Sequence, residues 1–274
     1  MLPKEKTKTT KMRKRVFIAV VLASLLSGAA SAQTSFTFKV GGAFPIGDYG
    51  DVRADYKNGI LRWGLMDKDE RGGAAAGFNL GAEWRHEIAS VKGLGIVISL
   101  DGFYNGLNED LRDFFDDAIK EAEDDDEDMT ITKPAYLNFP VMAGINYMYE
   151  VSSGIKVFGT AAIGANMRFI TPLKAETSYS YYSSSEGTTI KGENTTTIKY
   201  KSATTFGFRL AAGILFNDKF SVELGYYNLG AGKVKLEAEY EEINNYYGNN
   251  SGSEKQTFKS ITPSVFSVRL GIAL

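Results

Sequence analysis

An all-β chain, closed as an eight-stranded antiparallel transmembrane β-barrel, is the fold class this 274-residue sequence predicts, on three observations. Apolar and polar residues alternate with period two in segment after segment, the pattern of strands with one greasy and one polar face. The N-terminus carries the features of an export signal. The connections between the alternating segments are alternately long and short, as barrel topology demands. A soluble sandwich or lipocalin-like barrel shares the alternation but buries its apolar residues inward. The many strand glycines would then face water beside the charges, and aromatic residues would have no reason to gather at strand ends.

Lys11, Arg13, Lys14 and Arg15 precede an apolar run, 16–26, and the small-residue site Ala30-Ser31-Ala32. These are the basic, apolar and cleavage regions of a signal peptide over residues 1–32, so the mature chain is expected to begin at Gln33. The apolar run falls short of the roughly 20 residues that a spanning helix needs. Met12 stands directly before the basic cluster and is an alternative start to Met1. Removing residues 1–32 leaves 24 Lys and Arg against 32 Asp and Glu, which argues against nucleic acid as a partner. With no cysteine there is neither a disulfide framework nor a thiolate site. Beyond the signal no apolar stretch is long enough for a helical span, so insertion falls to strands of about ten alternating residues.

Residues 33–274 form one barrel domain. Strand one sets Phe36, Phe38, Val40 and Phe44 against Thr37, Lys39 and Gly41. Strand two, 74–86, sets Phe78, Leu80, Ala82 and Trp84 against Asn79, Gly81, Glu83 and Arg85. In strand three, 94–105, Ile96, Ile98, Leu100 and Tyr104 oppose Ser99, Asp101 and Asn105, with a looser rule at Val97 and Phe103. Strand four, 135–149, turns Leu137, Phe139, Val141, Ile145 and Tyr147 outward and Asn138, Gly144 and Asn146 inward; Pro140 removes a ladder donor, so a bulge or local irregularity is expected there. Strand five, 155–169, alternates Val157, Ile163, Met167 and Phe169 with Lys156, Thr160, Asn166 and Arg168. Strand six, 205–216, sets Phe206, Phe208, Leu210 and Ile214 against Gly207, Arg209 and Gly213, and strand seven, 220–226, sets Val222, Leu224 and Tyr226 against Ser221, Glu223 and Gly225. Strand eight, 264–274, keeps its apolar bulk on Phe266, Val268, Leu270, Ile272 and Leu274. About eleven residues at ~3.3 Å each, tilted near ~40°, cover the ~25 Å apolar band of such a barrel.

Segments 88–93, 150–154 and 217–219 are short and belong to the periplasmic side; segments 45–73, 106–133, 170–203 and 229–263 are long and belong outside. Both termini then face the periplasm. Phe44, Trp84, Tyr104, Tyr147, Tyr149, Phe169, Phe216, Phe220 and Tyr226 stand at strand ends, where interfacial girdles sit.

Gly41-Gly42-Ala43-Phe44-Pro45-Ile46-Gly47-Asp48-Tyr49-Gly50, Tyr136-Leu137-Asn138-Phe139-Pro140-Val141, Gly207-Phe208-Arg209-Leu210-Ala211-Ala212-Gly213 and the last strand occur in an order and spacing that resemble the small outer-membrane β-barrel families of Gram-negative bacteria, OmpA-like, OmpX-like and PorT-like. The resemblance spans essentially the whole mature chain. It implies residence in the outer membrane, contact with its lipid and lipopolysaccharide, and insertion by the barrel assembly machinery. Leu274 stands where an aromatic is usual for recognition by that machinery, and no peptidoglycan-binding domain follows, so a cell-wall tether is not implied.

The inward positions near mid-membrane are Lys39, Arg209 and Arg269 with Glu83, Asp101 and Glu223. Strand neighbours place Glu223 between Arg209 and Arg269, and Lys39 beside Glu83. An eight-stranded interior is just wide enough for side chains to fill, and buried charges persist when paired, so a structural ionic plug is expected. The alternative is an ion or proton pathway. The single histidine, His86, lies at the periplasmic end of strand two on the lipid-facing parity of Trp84, which makes it an interfacial residue rather than a base. Without Cys or a second His there is no nucleophile–base pair, no His/Cys metal site and no cofactor to assign.

In the second long segment, Leu111, Phe114, Phe115, Ala118 and Ile119 are spaced as a short helix and lead into Glu123-Asp124-Asp125-Asp126-Glu127-Asp128. Solvated charge accounts for that run, Ca²⁺ or bridging to lipopolysaccharide phosphates being the alternative; it lacks the glycine and spacing of an EF-hand. Tyr179, Tyr181, Tyr182, Tyr200, Tyr240, Tyr246 and Tyr247 crowd the third and fourth segments, and Val234, Leu236, Ala238 and Tyr240 continue the alternation of strand seven beyond the bilayer. The expectation is a non-enzymatic barrel serving envelope integrity or surface interaction through these segments. A small-solute pore or transport accessory is the alternative, and a lipid-modifying enzyme is disfavoured by the lone periplasmic histidine.

Overall fold

The computed structural model describes residues 34–51, 54–57, 60–63, 72–124 and 127–274; the signal peptide expected over 1–32, and Gln33 with it, lie outside them. In chain order the strands are β1 (Thr34–Pro45), β2 (Ala54–Lys57), β3 (Ile60–Trp63), β4 (Ala74–Glu87), β5 (Leu94–Leu107), β6 (Glu127–Thr132), β7 (Tyr136–Ser152), β8 (Ile155–Ile170), β9 (Leu173–Ser183), β10 (Thr188–Tyr200), β11 (Ala203–Phe216), β12 (Phe220–Asn228), β13 (Gly232–Asn244), β14 (Asn250–Ile261) and β15 (Ser264–Ala273). One helix, α1 (Glu109–Asp124), lies between β5 and β6.

Eight of these strands close into an antiparallel barrel in the order β1-β15-β12-β11-β8-β7-β5-β4. Closure joins the first strand to the last, with Lys39 opposite Gly271 and Phe44 opposite Phe266. Every barrel strand turns a large apolar side chain outward: Phe38, Leu80, Leu100, Ile145, Ile163, Leu210, Leu224 and Leu270 are 50% to 61% exposed. A continuous greasy belt of this kind is foreign to a water-facing surface. It matches the lipid-facing band of a barrel whose closed ladder satisfies the backbone inside a bilayer. The chain is an outer-membrane-type β-barrel. Among the described residues no helix is long and apolar enough to cross a membrane; the strands do the crossing.

The short connections are tight. Gly154 takes φ 78° between β7 and β8, and Asn217 and Asp218 take φ 50° and 55° between β11 and β12, a conformation that Gly, Asn and Asp adopt at least cost.

Pro140 brings the expected local irregularity, as a lapse in the ladder opposite it rather than as a bulge. Its register with β8 runs unbroken through Asn166. On the β5 side the ladder lapses at Asp101 and Gly102 yet resumes in the same register, Leu100 opposite Val141 and Phe103 opposite Asn138. The Phe139 ring covers the lapse, lying 3.5 Å from where a Cβ on Gly102 would stand. Register shifts occur instead between Ala74 and Gly77 and between Glu150 and Ser152, both at barrel rims.

Outside the barrel, β14-β13-β10-β9-β6 form a separate five-stranded sheet. This corrects the expectation that strand seven continues upward. β12 ends at Asn228, Gly230 takes φ 82°, and the chain re-enters a different sheet at Gly232. The alternation of Val234, Leu236, Ala238 and Tyr240 identifies a strand, but period two says nothing of which sheet it joins. Helix α1 is longer than the spacing of its apolar residues implied, and its buried Leu111 and Phe115 face the barrel mouth. There they meet the inward side chains Ala43, Phe103, Met142, Tyr227 and Val265, the turn residue Tyr49, and Leu173, Val234 and Ile261 of the sheet. At roughly 1.5–3 kcal/mol for each large buried apolar side chain, this roof is a principal source of cohesion between the long connecting segments and the barrel.

Candidate functional site

Sequence parity puts Lys39, Glu83, Asp101, Arg209, Glu223 and Arg269 on the inner wall, and the structure brings all six together, each at most 7% exposed. Glu223 sits directly opposite Arg269 on β15 and Gly213 on β11. Gly81 stands between Lys39 on β1 and Asp101 on β5. These glycines make the room: a Cβ on Gly81 would run into the Asp101 carboxylate and lie 3.3 Å from Arg269 Nη1.

The contacts form one network. Lys39 Nζ lies 2.8 Å from Glu83 Oε1 and 2.6 Å from Glu223 Oε2. Arg209 donates from Nη1 to Glu83 Oε2 at 2.7 Å and from Nη2 to both Glu223 oxygens at 2.7 and 2.9 Å. Arg269 donates from Nη1 to Asp101 Oδ1 at 2.6 Å, from Nε to Glu223 Oε1 at 3.1 Å, and from Nη2 to that same oxygen. Glu223 is thus the hub, touching all three cations. Tyr227, which sequence reasoning missed, completes the layer: its hydroxyl donates to Asp101 Oδ2 at 3.2 Å and its ring lies 5.6 Å from the Arg209 guanidinium carbon and 5.5 Å from that of Arg269. The signal for it was its inward parity, one residue after the outward Tyr226.

Above this layer stands Arg168, 4% exposed, without a carboxylate partner among the described residues. It donates from Nη1 to the Ile261 carbonyl at 3.1 Å and from Nη2 to the Gly232 carbonyl at 2.8 Å, so one barrel side chain holds the base of both β13 and β14. An inward arginine with no acid at its height was the legible hint.

His86 stands at the end of β4 beside a hydroxyl and an aromatic ring. Its Nδ1 lies 2.9 Å from Thr34 Oγ1, and its ring stacks on Trp84 at 5.8 Å.

The described residues of the acidic run do not gather into a cation site. Glu123 and Asp124 end α1, whereas Glu127 and Asp128 open β6 on opposite faces; Asp125 and Asp126 lie outside the described residues. Among the described residues no group of three or more such side chains is placed to hold a metal ion.

At the tip of the outer sheet Tyr181, Tyr182, Tyr240, Tyr246 and Tyr247 are exposed. Asn244 organises the turn, accepting from the Tyr246 and Tyr247 amides at 2.8 and 2.9 Å while donating to the Tyr179 hydroxyl at 2.8 Å. The Tyr246 hydroxyl donates to Glu186, which raises its pKa above the ordinary value. Burial raises that of Tyr200, whose buried hydroxyl has no hydrogen-bond partner among the described residues.

No protein-family model matches the chain, and no curated protein matches it. Among solved structures it is similar to Ail, the attachment invasion locus protein of Yersinia pestis, at 14% identity over 88% of this chain and 99% of that one, with a TM-score of 0.34. It is similar to Neisserial surface protein A at 10% identity over 87% of this chain and 97% of that one, TM-score 0.35. It is also similar to the outer-membrane protein OprG of Pseudomonas aeruginosa, at 11% identity over 89% of this chain and 96% of that one, TM-score 0.38. The barrel itself stands on its closed ladder and its apolar outer face.

Proposed function

We propose that the chain is a non-enzymatic outer-membrane barrel with a side-chain-plugged lumen, serving envelope integrity or surface interaction through its extracellular segments. The observation that carries this reading is the ionic layer around Glu223, in which three cations and three carboxylates from six strands pair across the lumen. A hydrated solute crossing that level has to part buried ion pairs, and separating even one costs roughly 3–5 kcal/mol. The apolar roof of Phe103, Met142, Leu111 and Phe115 lies beyond it as a second barrier. A non-catalytic role is supported by the setting of His86: its ring meets the Thr34 hydroxyl and stacks on Trp84, but among the described residues no carboxylate orients it, so a hydroxyl–imidazole–acid arrangement is incomplete.

Surface interaction is supported by the tyrosine-bearing tip, because exposed tyrosines offer large contact area at little entropic cost. Outer-membrane lipid is the partner of the apolar belt; lipopolysaccharide and the barrel assembly machinery are partners that outer-membrane residence entails. Export under a signal peptide cleaved before Gln33 completes the proposal, and N-terminal sequencing of the membrane-extracted protein tests it. The plug is tested by single-channel recording of the purified protein in planar bilayers. The expected trace is that of the bare bilayer, and a steady open conductance would overturn the plug.

A further inference from the structure

Below the ionic layer the lumen widens, on the side of the short turns, into a cavity of about 290 Å³. Lys39, Glu83 and Phe158 line its inner end. Arg85 and Glu87 stand on one wall, with Nη1 and Oε2 3.6 Å apart. Lys156 and Asp218 stand on the other side of the barrel ring, 2.6 Å apart. Ser221 also lines the space; it is 5% exposed, and among the described residues its Oγ has no hydrogen-bond partner.

We propose that this cavity is a periplasm-facing binding site for a small zwitterion, of the class of a free α-amino acid with an apolar side chain. Its charged lining is balanced, Lys39, Arg85 and Lys156 against Glu83, Glu87 and Asp218. A simple anion entering it meets three carboxylates, and a simple cation meets three cations. A zwitterion satisfies both sets. Arg85 is the carboxylate anchor. Its Nε and Nη2 are committed to Asn146 Oδ1 at 2.8 Å and the Gly93 carbonyl at 3.0 Å, whereas Nη1 makes only the long contact to Glu87 among the described residues. The ligand ammonium then lies toward Glu87, and its side chain lies among Met148, Leu215 and Phe158. The Ser221 hydroxyl supplies a polar contact at the deep end, relieving a buried group that is otherwise unpaired. The volume sits at the low end of the roughly 300–1,000 Å³ typical of small-molecule pockets, which selects a ligand of amino-acid size. Entry from one side only rests on the plug proposed above.

The test is calorimetric titration of the detergent-folded barrel with free leucine, with 4-methylpentanoate and with isopentylamine, the last two each lacking one charge. Leucine is expected to bind saturably, and each analogue at least about tenfold more weakly, the scale of losing a charge-assisted hydrogen bond. Arg85→Gln reports the anchor, with heat-modifiable gel migration reporting the fold; it is expected to weaken leucine about tenfold. No saturable leucine binding, an analogue that binds as well as leucine, or an unchanged affinity in folded Arg85→Gln overturns the proposal. Single-channel recording judges the plug separately, so an open channel and a failed titration are distinguishable results.

Discussion

Replacing Glu223 by alanine removes the hub of the lumen network. In the intact layer Glu223, 1% exposed, contacts Lys39, Arg209 and Arg269. After Glu223→Ala, Glu83 still serves Lys39 and Arg209 at 2.8 and 2.7 Å, and Asp101 still serves Arg269 at 2.6 Å. Three buried cations then share two carboxylates. Charge-assisted hydrogen bonds are worth about 1.5–3 kcal/mol each, but the three cannot simply be added, because the remaining carboxylates rearrange and the groups belong to one network. The expected loss is that of breaking a buried pair, about 3–5 kcal/mol. Glu223→Gln, which keeps one acceptor and the side-chain volume, loses less. The assay is urea unfolding in lipid vesicles followed by tryptophan fluorescence, with Arg269→Ala and the double variant closing a thermodynamic cycle. A loss under about 1 kcal/mol for Glu223→Ala would refute the reasoning, because a water-filled layer would screen the cations once the hub is gone.

Gly81→Ala is expected to destabilise the barrel by about 1–3 kcal/mol, since the added methyl meets the Asp101 carboxylate; a parallel urea series measures it, and a neutral result would mean the wall yields there. Arg168→Ala is expected to free the base of β13 and β14 while leaving the barrel intact, because it strips donors from the Ile261 and Gly232 carbonyls at a cost of about 1–3 kcal/mol per unpaired group. Limited proteolysis would then cut the extracellular sheet faster with heat-modifiable migration unchanged. The buried Tyr200 phenol has its pKa raised above the ordinary 10.0, so its contribution is fully present below pH 10 and is lost as pH rises beyond it. Protease resistance of the sheet is expected to fall above that pH, and Tyr200→Phe, which removes an unpartnered hydroxyl, to flatten the fall; equal alkaline sensitivity in the variant would count against it. Substituting both Tyr246 and Tyr247 with alanine is expected to leave gel migration unchanged and to lower binding of whole cells to host or neighbouring-cell surfaces.

Period two was enough to read the barrel strands one by one, because a residue's face in a strand follows from its position alone. The same parity placed Lys39, Glu83, Asp101, Arg209, Glu223 and Arg269 on the inner wall, and strand adjacency put Glu223 beside Arg209 and Arg269. Which oxygen meets which nitrogen could not be read that way. Lys39 reaches Glu223 as well as Glu83, and Arg209 spans the lumen from β11 to Glu83 on β4, because long side chains cross a narrow barrel between strands that never pair. Asp101 had no evident partner until the closed ring brought Arg269 and Tyr227 to it. The apolar roof was invisible for the same reason. Phe103 and Met142 look like breaches of the polar-inside rule until Leu111 and Phe115 of α1 fold over them. Strand patterning acts between neighbours one residue apart, so the sequence by itself determined the walls; the ionic layer, the roof and the separate outer sheet join residues far apart in the chain, and only closure of the tertiary structure decided those.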